Sequence, residues 1–149
     1  MMEMPVVTAE EIVNSVEERF GGRVRISRPR SNRAYALVEP GDILEVAAFL
    51  FRDLDARFAT ATGVDLRREV EVLYHFVFDR VPLVFTARVL VPKRKLEVES
   101  ISNLIPGAKW IEREITDFMQ TISSPQPEKG PIPLKERPKD RKELIATIK

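Results

Sequence analysis

Three segments of the chain carry apolar residues at the three-to-four-residue spacing of an amphipathic helix, and they cover residues 8–20, 40–53 and 108–120. The first begins with Thr8 and Glu11, a pair that forms a capping box at a helix start. In the third helix the side chains that share one face are Ile111, Ile115, Phe118 and Met119. The pattern therefore predicts three helices, each with one buried face.

Five other segments alternate apolar and polar residues and are predicted to be strands, at residues 23–27, 34–38, 57–66, 69–78 and 83–91. The first two form a hairpin across a turn at residues 28–33. In the last two strands one face is wholly apolar and the other is mixed, as in an antiparallel sheet covered fully on one side. The chain is therefore predicted to be α+β, with a mostly antiparallel sheet of about five strands and helices packed on one face.

The composition changes after Ser123. Five of the eleven prolines fall within fourteen residues, at Pro125, Pro127, Pro131, Pro133 and Pro138. Proline lacks a backbone donor and resists regular structure. We expect residues 1–123 to form one domain, and residues 124–149 to be an extended Pro-rich C-terminal arm that is ordered by wrapping a neighbouring chain.

Composition restricts the chemistry that this chain can perform. It has 24 basic and 23 acidic residues, so no strong net charge favours nucleic acid or an anionic membrane. It has no Cys and only one His, which excludes cysteine-ligated iron–sulfur clusters and multi-histidine metal sites. The longest apolar run covers residues 46–51, whereas a bilayer crossing needs about 18 residues. The N-terminus lacks the features of a secretory signal, so we expect a cytoplasmic location.

The carboxylates of the third predicted helix, Glu112, Glu114 and Asp117, do not form a catalytic pair. Glu112 and Glu114 point about 200° apart on a helix, so they cannot act on one substrate. Arg113 and Asp117 are four residues apart and suit an ion pair on one face. A charge network on the helix surface, or an interface that holds a partner chain, explains these residues better than catalysis.

Two aromatic residues each leave two interpretations open. His75 lies on the mixed sheet face between Glu71 and Asp79, where a hydrogen bond to a carboxylate is favoured over a pH-sensing or proton-relay role. Trp110 lies about 100° from Ile111 on its helix, at the edge of the buried stripe. It is either an exposed anchor for a partner or part of the core.

Five arginines fall within eleven residues of the first predicted hairpin, at Arg23, Arg25, Arg28, Arg30 and Arg33. Such a cluster can contact nucleic-acid phosphates, and a nucleic-acid-binding module using this hairpin is the alternative function. No aromatic residue is interleaved before Tyr35, and acidic residues elsewhere balance the charge. A docking site for an acidic partner subunit, or a solvated hairpin, is the preferred interpretation.

Three stretches of the sequence carry a resemblance to a known family. Residues 70–76 read VEVLYHF, residues 87–92 read ARVLVP, and residues 99–118 read ESISNLIPGAKWIEREITDF. The last matches the pattern Pro-x-Ala-x-Trp-x-Glu-Arg-Glu-x-x-Asp almost position by position. Together they resemble the 30-kDa subunit family of NADH dehydrogenase. The family usually continues with Met-Phe-Gly-Ile, whereas residues 118–121 read FMQT. This departure favours a relative from a membrane-bound [NiFe] hydrogenase or a related archaeal-type respiratory complex.

The resemblance implies a scaffolding and assembly subunit without activity of its own, in the peripheral arm of a membrane-bound oxidoreductase on its cytoplasmic side. The implied partners are a hydrogenase-like large subunit and an iron–sulfur small subunit, with membrane contact only indirect and no nucleic acid. Iron–sulfur clusters, and a [NiFe] centre in a hydrogenase, would lie in those partners, and no cofactor in this chain. The predicted interface residues are Trp110, Glu112, Arg113, Glu114, Asp117, Arg28, Arg30, Arg33, Arg137 and Arg141.

Overall fold

The computed structural model describes residues 8–123. The predicted arm at residues 124–149, with Arg137 and Arg141, lies outside the described residues, so the division of the chain at residue 123 remains an expectation. None of the helices in the described part has the length and apolar character that a bilayer crossing requires.

One five-stranded sheet organises the described residues. Its strands are β1 (Val24–Arg30), β2 (Arg33–Val38), β3 (Arg57–Asp65), β4 (Glu69–Val77) and β5 (Val84–Pro92). Their order across the sheet is β1-β2-β5-β4-β3. The β2–β5 pair is parallel and the other three pairs are antiparallel. The predicted α+β fold with a mostly antiparallel sheet of about five strands is confirmed.

The helices are α1 (Ala9–Phe20), α2 (Ile43–Ala48) and α3 (Ala108–Ser123). The Thr8 hydroxyl accepts from the Glu11 N–H, and the Glu11 carboxylate accepts from the Thr8 N–H, both at 3.1 Å, which confirms the predicted capping box. A single π-helical segment (Phe49–Asp53) continues α2. The chain then leaves the helix through Asp55, which has a positive φ of 62°.

The helices and one face of the sheet form a single hydrophobic core. Alternate residues of β4 and β5 are buried on this face: Val70, Val72, Tyr74, Phe76, Phe85, Ala87, Val89 and Val91. Against them pack apolar side chains from all three helices, among them Val16, Val46, Leu50, Ile115 and Met119. The opposite face, called the open face below, contributes no side chain of the described residues to this core. Its side chains include Tyr35, Leu37, His75 and Arg88.

The predicted turn at residues 28–33 is wrong at its start, because β1 continues to Arg30. The pairing with β2 shifts register between Ser27 and Arg30, and Pro29 lies inside this shift. A proline is tolerated there because β1 is an edge strand, where its missing donor breaks no internal ladder. The turn itself contains only residues 31–32.

Gly63 allows α3 to pack closely against β3. A Cβ atom at this position would lie 2.9 Å from the Phe118 Cδ2 atom and 3.9 Å from the Ile115 Cγ2 atom. Phe118 and Ile115 belong to the predicted apolar stripe of α3, of which Ile115 and Met119 are buried and Ile111 and Phe118 are half-buried. The close approach of helix and strand therefore depends on the missing side chain of Gly63.

We predict that Gly63→Val lowers the free energy of unfolding by about 1–3 kcal/mol, because the larger side chain overpacks the contact between β3 and α3. Chemical denaturation of the purified chain measures this change. Gly41→Ala is the matched control, since a Cβ at Gly41 has no atom within 4 Å. Adding Phe118→Leu to Gly63→Val should recover part of the loss. Equal stability of Gly63→Val and the unaltered chain would contradict the proposed close contact.

Candidate partner interface

Glu112 fastens the beginning of α3 to the segment that precedes it. One carboxylate oxygen accepts from the Ile101 N–H at 2.8 Å, and the other accepts from the Ser100 hydroxyl at 2.6 Å. Ile101 is fully buried, so its N–H needs a partner inside the chain. Glu112 was predicted to contact a partner. The structure instead shows its carboxylate engaged in an internal contact.

Tyr74 lies on the core face of β4 near the same carboxylate. It is 2% exposed, and burial raises the pKa of its hydroxyl, with the charge of Glu112 adding to the effect. The tyrosine is therefore neutral at any physiological pH. Tyr74 thus lies where the centre of the sheet meets the loop before α3 and the first turns of α3.

Trp110 projects from α3 into solvent. It is 61% exposed, and the Arg113 guanidinium carbon lies 5.6 Å from the centre of the indole ring. The interpretation of Trp110 as a core residue is therefore wrong, and its role as an anchor for a partner stays a prediction. The predicted ion pair between Arg113 and Asp117 is absent among the described contacts, and the guanidinium stacks on Trp110 instead.

Four of the five predicted α3 interface residues face outward together. Relative to Trp110, the helix places Asp117, Arg113 and Glu114 at about −20°, −60° and +40°, an arc of about 100°. Arg113 and Asp117 are exposed and Glu114 is half-buried. We call these four residues the Trp110 patch. Glu112 lies outside this arc, which explains why it faces the preceding loop.

In the folded chain, two arginines of the five-arginine cluster have side-chain partners and three do not. Arg23 bonds to Glu45 and, at 3.3 Å, to Asp42, and this interaction lowers the pKa of the Glu45 carboxyl. Arg28 donates to the Ser31 carbonyl at 2.9 Å and so closes the hairpin turn. These two arginines are used within the chain, which weakens the prediction of a nucleic-acid surface made by all five.

The side chains of the other three arginines, Arg25, Arg30 and Arg33, make no hydrogen bond or ion pair in the part of the chain that the structure describes. Strand pairing sets Arg25 opposite Leu37, and Arg30 opposite Arg33, on the open face. Among the predicted interface residues of the hairpin, Arg30 and Arg33 are therefore available and Arg28 is already engaged.

The centre of the open face is polar. The His75 Nδ1 atom lies 2.8 Å from the Thr86 hydroxyl, and the Arg88 Nε atom lies 2.5 Å from the Glu71 carboxylate. The prediction that His75 binds a carboxylate is therefore wrong, since Thr86 on β5 is its partner. Strand register places one polar row across all five strands: Ser27, Tyr35, Thr86, His75 and Thr60. Sequence reasoning missed this row, because only the register reveals it.

In residues 8–123 no group of three or more His, Asp or Glu side chains is arranged so that it could hold a metal ion. A groove of about 540 Å³ lies beside the end of β5 and is lined by Leu90, Pro92 and Val98 with Glu39, Glu97 and Glu99. The Glu99 carboxylate already accepts from the Leu44 N–H at 3.2 Å, in the first turn of α2. Its role there is structural.

The fold defines a class of protein, a small α+β domain with helices packed on one face of a five-stranded sheet. The sequence pattern of the family described as "Respiratory-chain NADH dehydrogenase, 30 Kd subunit" matches residues 36–139. The chain therefore belongs to this family, and the resemblance predicted from residues 70–118 is confirmed.

Curated relatives agree with this assignment. The C subunit of the NADH-quinone oxidoreductase of Chelativorans sp. (strain BNC1) is 28% identical over 124 residues, which cover 79% of this chain and 62% of the relative. The C subunit of the F(420)H(2) dehydrogenase of Methanosarcina mazei is 28% identical over 132 residues, which cover 85% of this chain and 82% of the relative. The chain thus spans about three fifths of the length of the bacterial relative and most of the archaeal one.

Two solved structures share the fold. One is a chain of the membrane-bound sulfane sulfur reductase, an archaeal respiratory membrane complex, with a TM-score of 0.62 and 22% identity over 73% of this chain and 66% of that chain. The other is a trypsin-resistant fragment of Nqo5, with a TM-score of 0.55 and 19% identity over 73% of this chain and 89% of that chain. At these identities the likeness concerns the fold.

We predict that Glu112→Ala lowers the free energy of unfolding by about 1–3 kcal/mol, because the buried Ile101 N–H loses its acceptor. In a thermal melt this corresponds to about 2–4 °C per kcal/mol for a chain of this size. Asp117→Ala, at an exposed position of the same helix, is the control and should change stability by less than about 0.5 kcal/mol. If both variants melt alike, Glu112 does not hold the loop.

The pKa of His75 is lowered from its ordinary value, first by burial and second by the nearby Arg33 cation. As the pH falls below about 6.5, the unfolded chain binds this proton before the folded chain does. The free energy of unfolding should therefore fall with decreasing pH in that window, and level off below the folded pKa.

Thermal melts between about pH 5 and pH 8 measure this dependence. Because the chain has a single histidine, His75→Gln should remove most of the slope. Arg33→Gln should reduce it, since one cause of the lowered pKa is lost. A slope that persists unchanged in His75→Gln would show that another group is responsible.

Proposed function

We propose that this chain is a non-catalytic scaffolding and assembly subunit of a membrane-bound oxidoreductase complex, and that it docks on its large subunit through the Trp110 patch. The observation that carries the proposal is Trp110, an exposed tryptophan stacked on Arg113. Tryptophan and arginine dominate the residues whose truncation costs most at protein interfaces. The helix that presents them also contains the segment of greatest resemblance to the family.

The names of the relatives support the kind of complex. They are subunits of an NADH-quinone oxidoreductase and of an F(420)H(2) dehydrogenase, and one structural neighbour comes from an archaeal respiratory membrane complex. By extension, the partners of this chain are a hydrogenase-like large subunit and an iron–sulfur small subunit. The chain would lie in the peripheral arm on the cytoplasmic side, with iron–sulfur clusters in the partner chains and only indirect membrane contact.

Other predicted interface residues enter the proposal with different roles. Glu114 and Asp117 supply acidic groups beside Trp110. Arg137 and Arg141, outside the described residues, would extend the contact along the neighbouring subunit. Arg30 and Arg33 present positive charge on another part of the domain, and Arg28 shapes the hairpin that carries them.

We predict that Trp110→Ala leaves the domain folded and reduces its incorporation into the complex by about tenfold or more, as loss of an interface residue worth about 2 kcal/mol implies. Arg113→Ala should have a smaller effect in the same direction. Because both side chains are at the surface, the stability of the isolated chain should change by less than about 0.5 kcal/mol.

Recovery of the large subunit with a tagged form of this chain measures incorporation. Arg80→Ala is the control, since Arg80 is exposed in the turn between β4 and β5. Normal recovery of the large subunit with Trp110→Ala would eliminate the Trp110 patch as the docking site.

A further inference from the structure

Arg33 has an unusual environment for a charged side chain. It is half-buried on β2, an interior strand that pairs with β1 on one side and β5 on the other. It lies close enough to His75 to lower the pKa of that ring, yet it has no carboxylate partner in residues 8–123. A partly desolvated guanidinium without a counter-charge is costly, so an anionic partner would stabilise it.

The acidic groups of the same face do not serve Arg33. Two of them are paired with other arginines, and Glu69 lies opposite Pro92, at the far end of β5 from Val84, the register partner of Arg33. Glu71 binds Arg88 at 2.5 Å, and Asp79 binds Arg57 at 3.0 Å. The hairpin from residues 24 to 38 contains four arginines and no acidic residue. With Arg28 engaged in the turn, Arg25, Arg30 and Arg33 leave a positive patch at the β1–β2 side of the open face.

Protection of an edge strand does not explain this patch. Charged residues and proline commonly prevent edge strands from pairing with other chains, and Pro29 and Arg30 on β1 fit that role. Arg33 does not, because β2 is not an edge strand. The side chain of Arg25 belongs to the open face, where its register partner is Leu37, and not to the edge of the sheet.

The open face has the size and composition of one protein interface. Strands of six to nine residues, at about 3.3 Å per residue and about 4.8 Å spacing, give a footprint of about 600 Å², against about 800 Å² per partner in a standard complex. Half-buried Tyr35, Leu37 and Val84 surround the arginines. Tyrosine and arginine with apolar neighbours are typical of such interfaces.

We infer that the open face docks a second partner surface, one that combines acidic side chains for Arg25, Arg30 and Arg33 with apolar side chains for Leu37 and Val84. Since α3 packs on the opposite face of the sheet, this surface is distinct from the Trp110 patch. The inference extends the proposed scaffolding function: the chain bridges two surfaces of its complex instead of attaching to one.

A photo-crosslinking amino acid tests the two surfaces separately in the full chain, expressed in its own cells with a purification tag. Its side chain is a benzophenone, and it replaces Ser27, exposed on the open face, in one form of the chain and Trp110 in the other, where it keeps a large aromatic group in the patch. We expect position 27 to crosslink to a protein segment in which Asp and Glu outnumber Lys and Arg. That segment should differ from the one crosslinked at position 110, as identified by mass spectrometry.

Charge reversal then tests the arginines. Arg25→Glu combined with Arg33→Glu should reduce the crosslink at position 27 by about tenfold or more and leave the crosslink at position 110 unchanged. Arg80→Glu is the control for a change of net charge. Arg33→Gln, with folding checked by thermal melting, is the milder variant in case the double reversal does not fold.

The two proposals fail in distinguishable ways. Loss of the crosslink at position 110 alone contradicts the Trp110 patch and leaves the open-face inference standing. The open-face inference is overturned if position 27 crosslinks to nothing, to RNA, to a second copy of this chain or to the segment that position 110 contacts. It is also overturned if charge reversal leaves the crosslink at position 27 unchanged.

Discussion

Burial of one face of the five-stranded sheet is the constraint on which the rest of the structure depends. Alternate residues of β4 and β5, including Val72, Phe76 and Phe85, are fully buried beneath the helices. Removing each such side chain from water contributes about 1.5–3 kcal/mol, so this face dominates the stability of the domain. A strand that buries alternate residues presents the others to the opposite side, which is how the same sequence creates the open face.

The third helix serves both stability and recognition, and its geometry keeps the two apart. Ile115 and Met119 face the sheet, and the absent side chain of Gly63 lets the helix approach β3. Glu112 binds the preceding loop, whereas Trp110 and Arg113 project outward. The charged segment from Trp110 to Asp117 therefore contains one residue that stabilises the fold, Glu112, and others whose side chains are available to a partner. Substitutions at neighbouring positions of this motif should have different consequences for stability and assembly.

Polar side chains at the centre of the open face pair with one another, although no helix in the described residues covers this face. Glu71 and Arg88 form an ion pair across β4 and β5, and His75 binds Thr86. These contacts satisfy the polar groups at the centre of the face. The positive charge at the hairpin is left without a counterpart inside the described chain. In the proposed scaffold one partner contacts the open face of the sheet and the other contacts helix α3.

The sequence alone determined the elements, because hydrophobic periodicity and local capping act over a few residues. The strands, the capping box at Thr8 and Glu11, and the buried stripe of α3 were all predictable in this way. Tertiary structure decided which charged groups meet. Register, which residue spacing does not reveal, places His75 beside Thr86 instead of a carboxylate. The packing of α2 brings Glu45 to Arg23. The position of each residue around the helix axis, together with the path of the preceding loop, places Glu112 against that loop and Arg113 beside Trp110. Such contacts join residues far apart in the chain, so only the folded structure shows which side chains remain available to a partner.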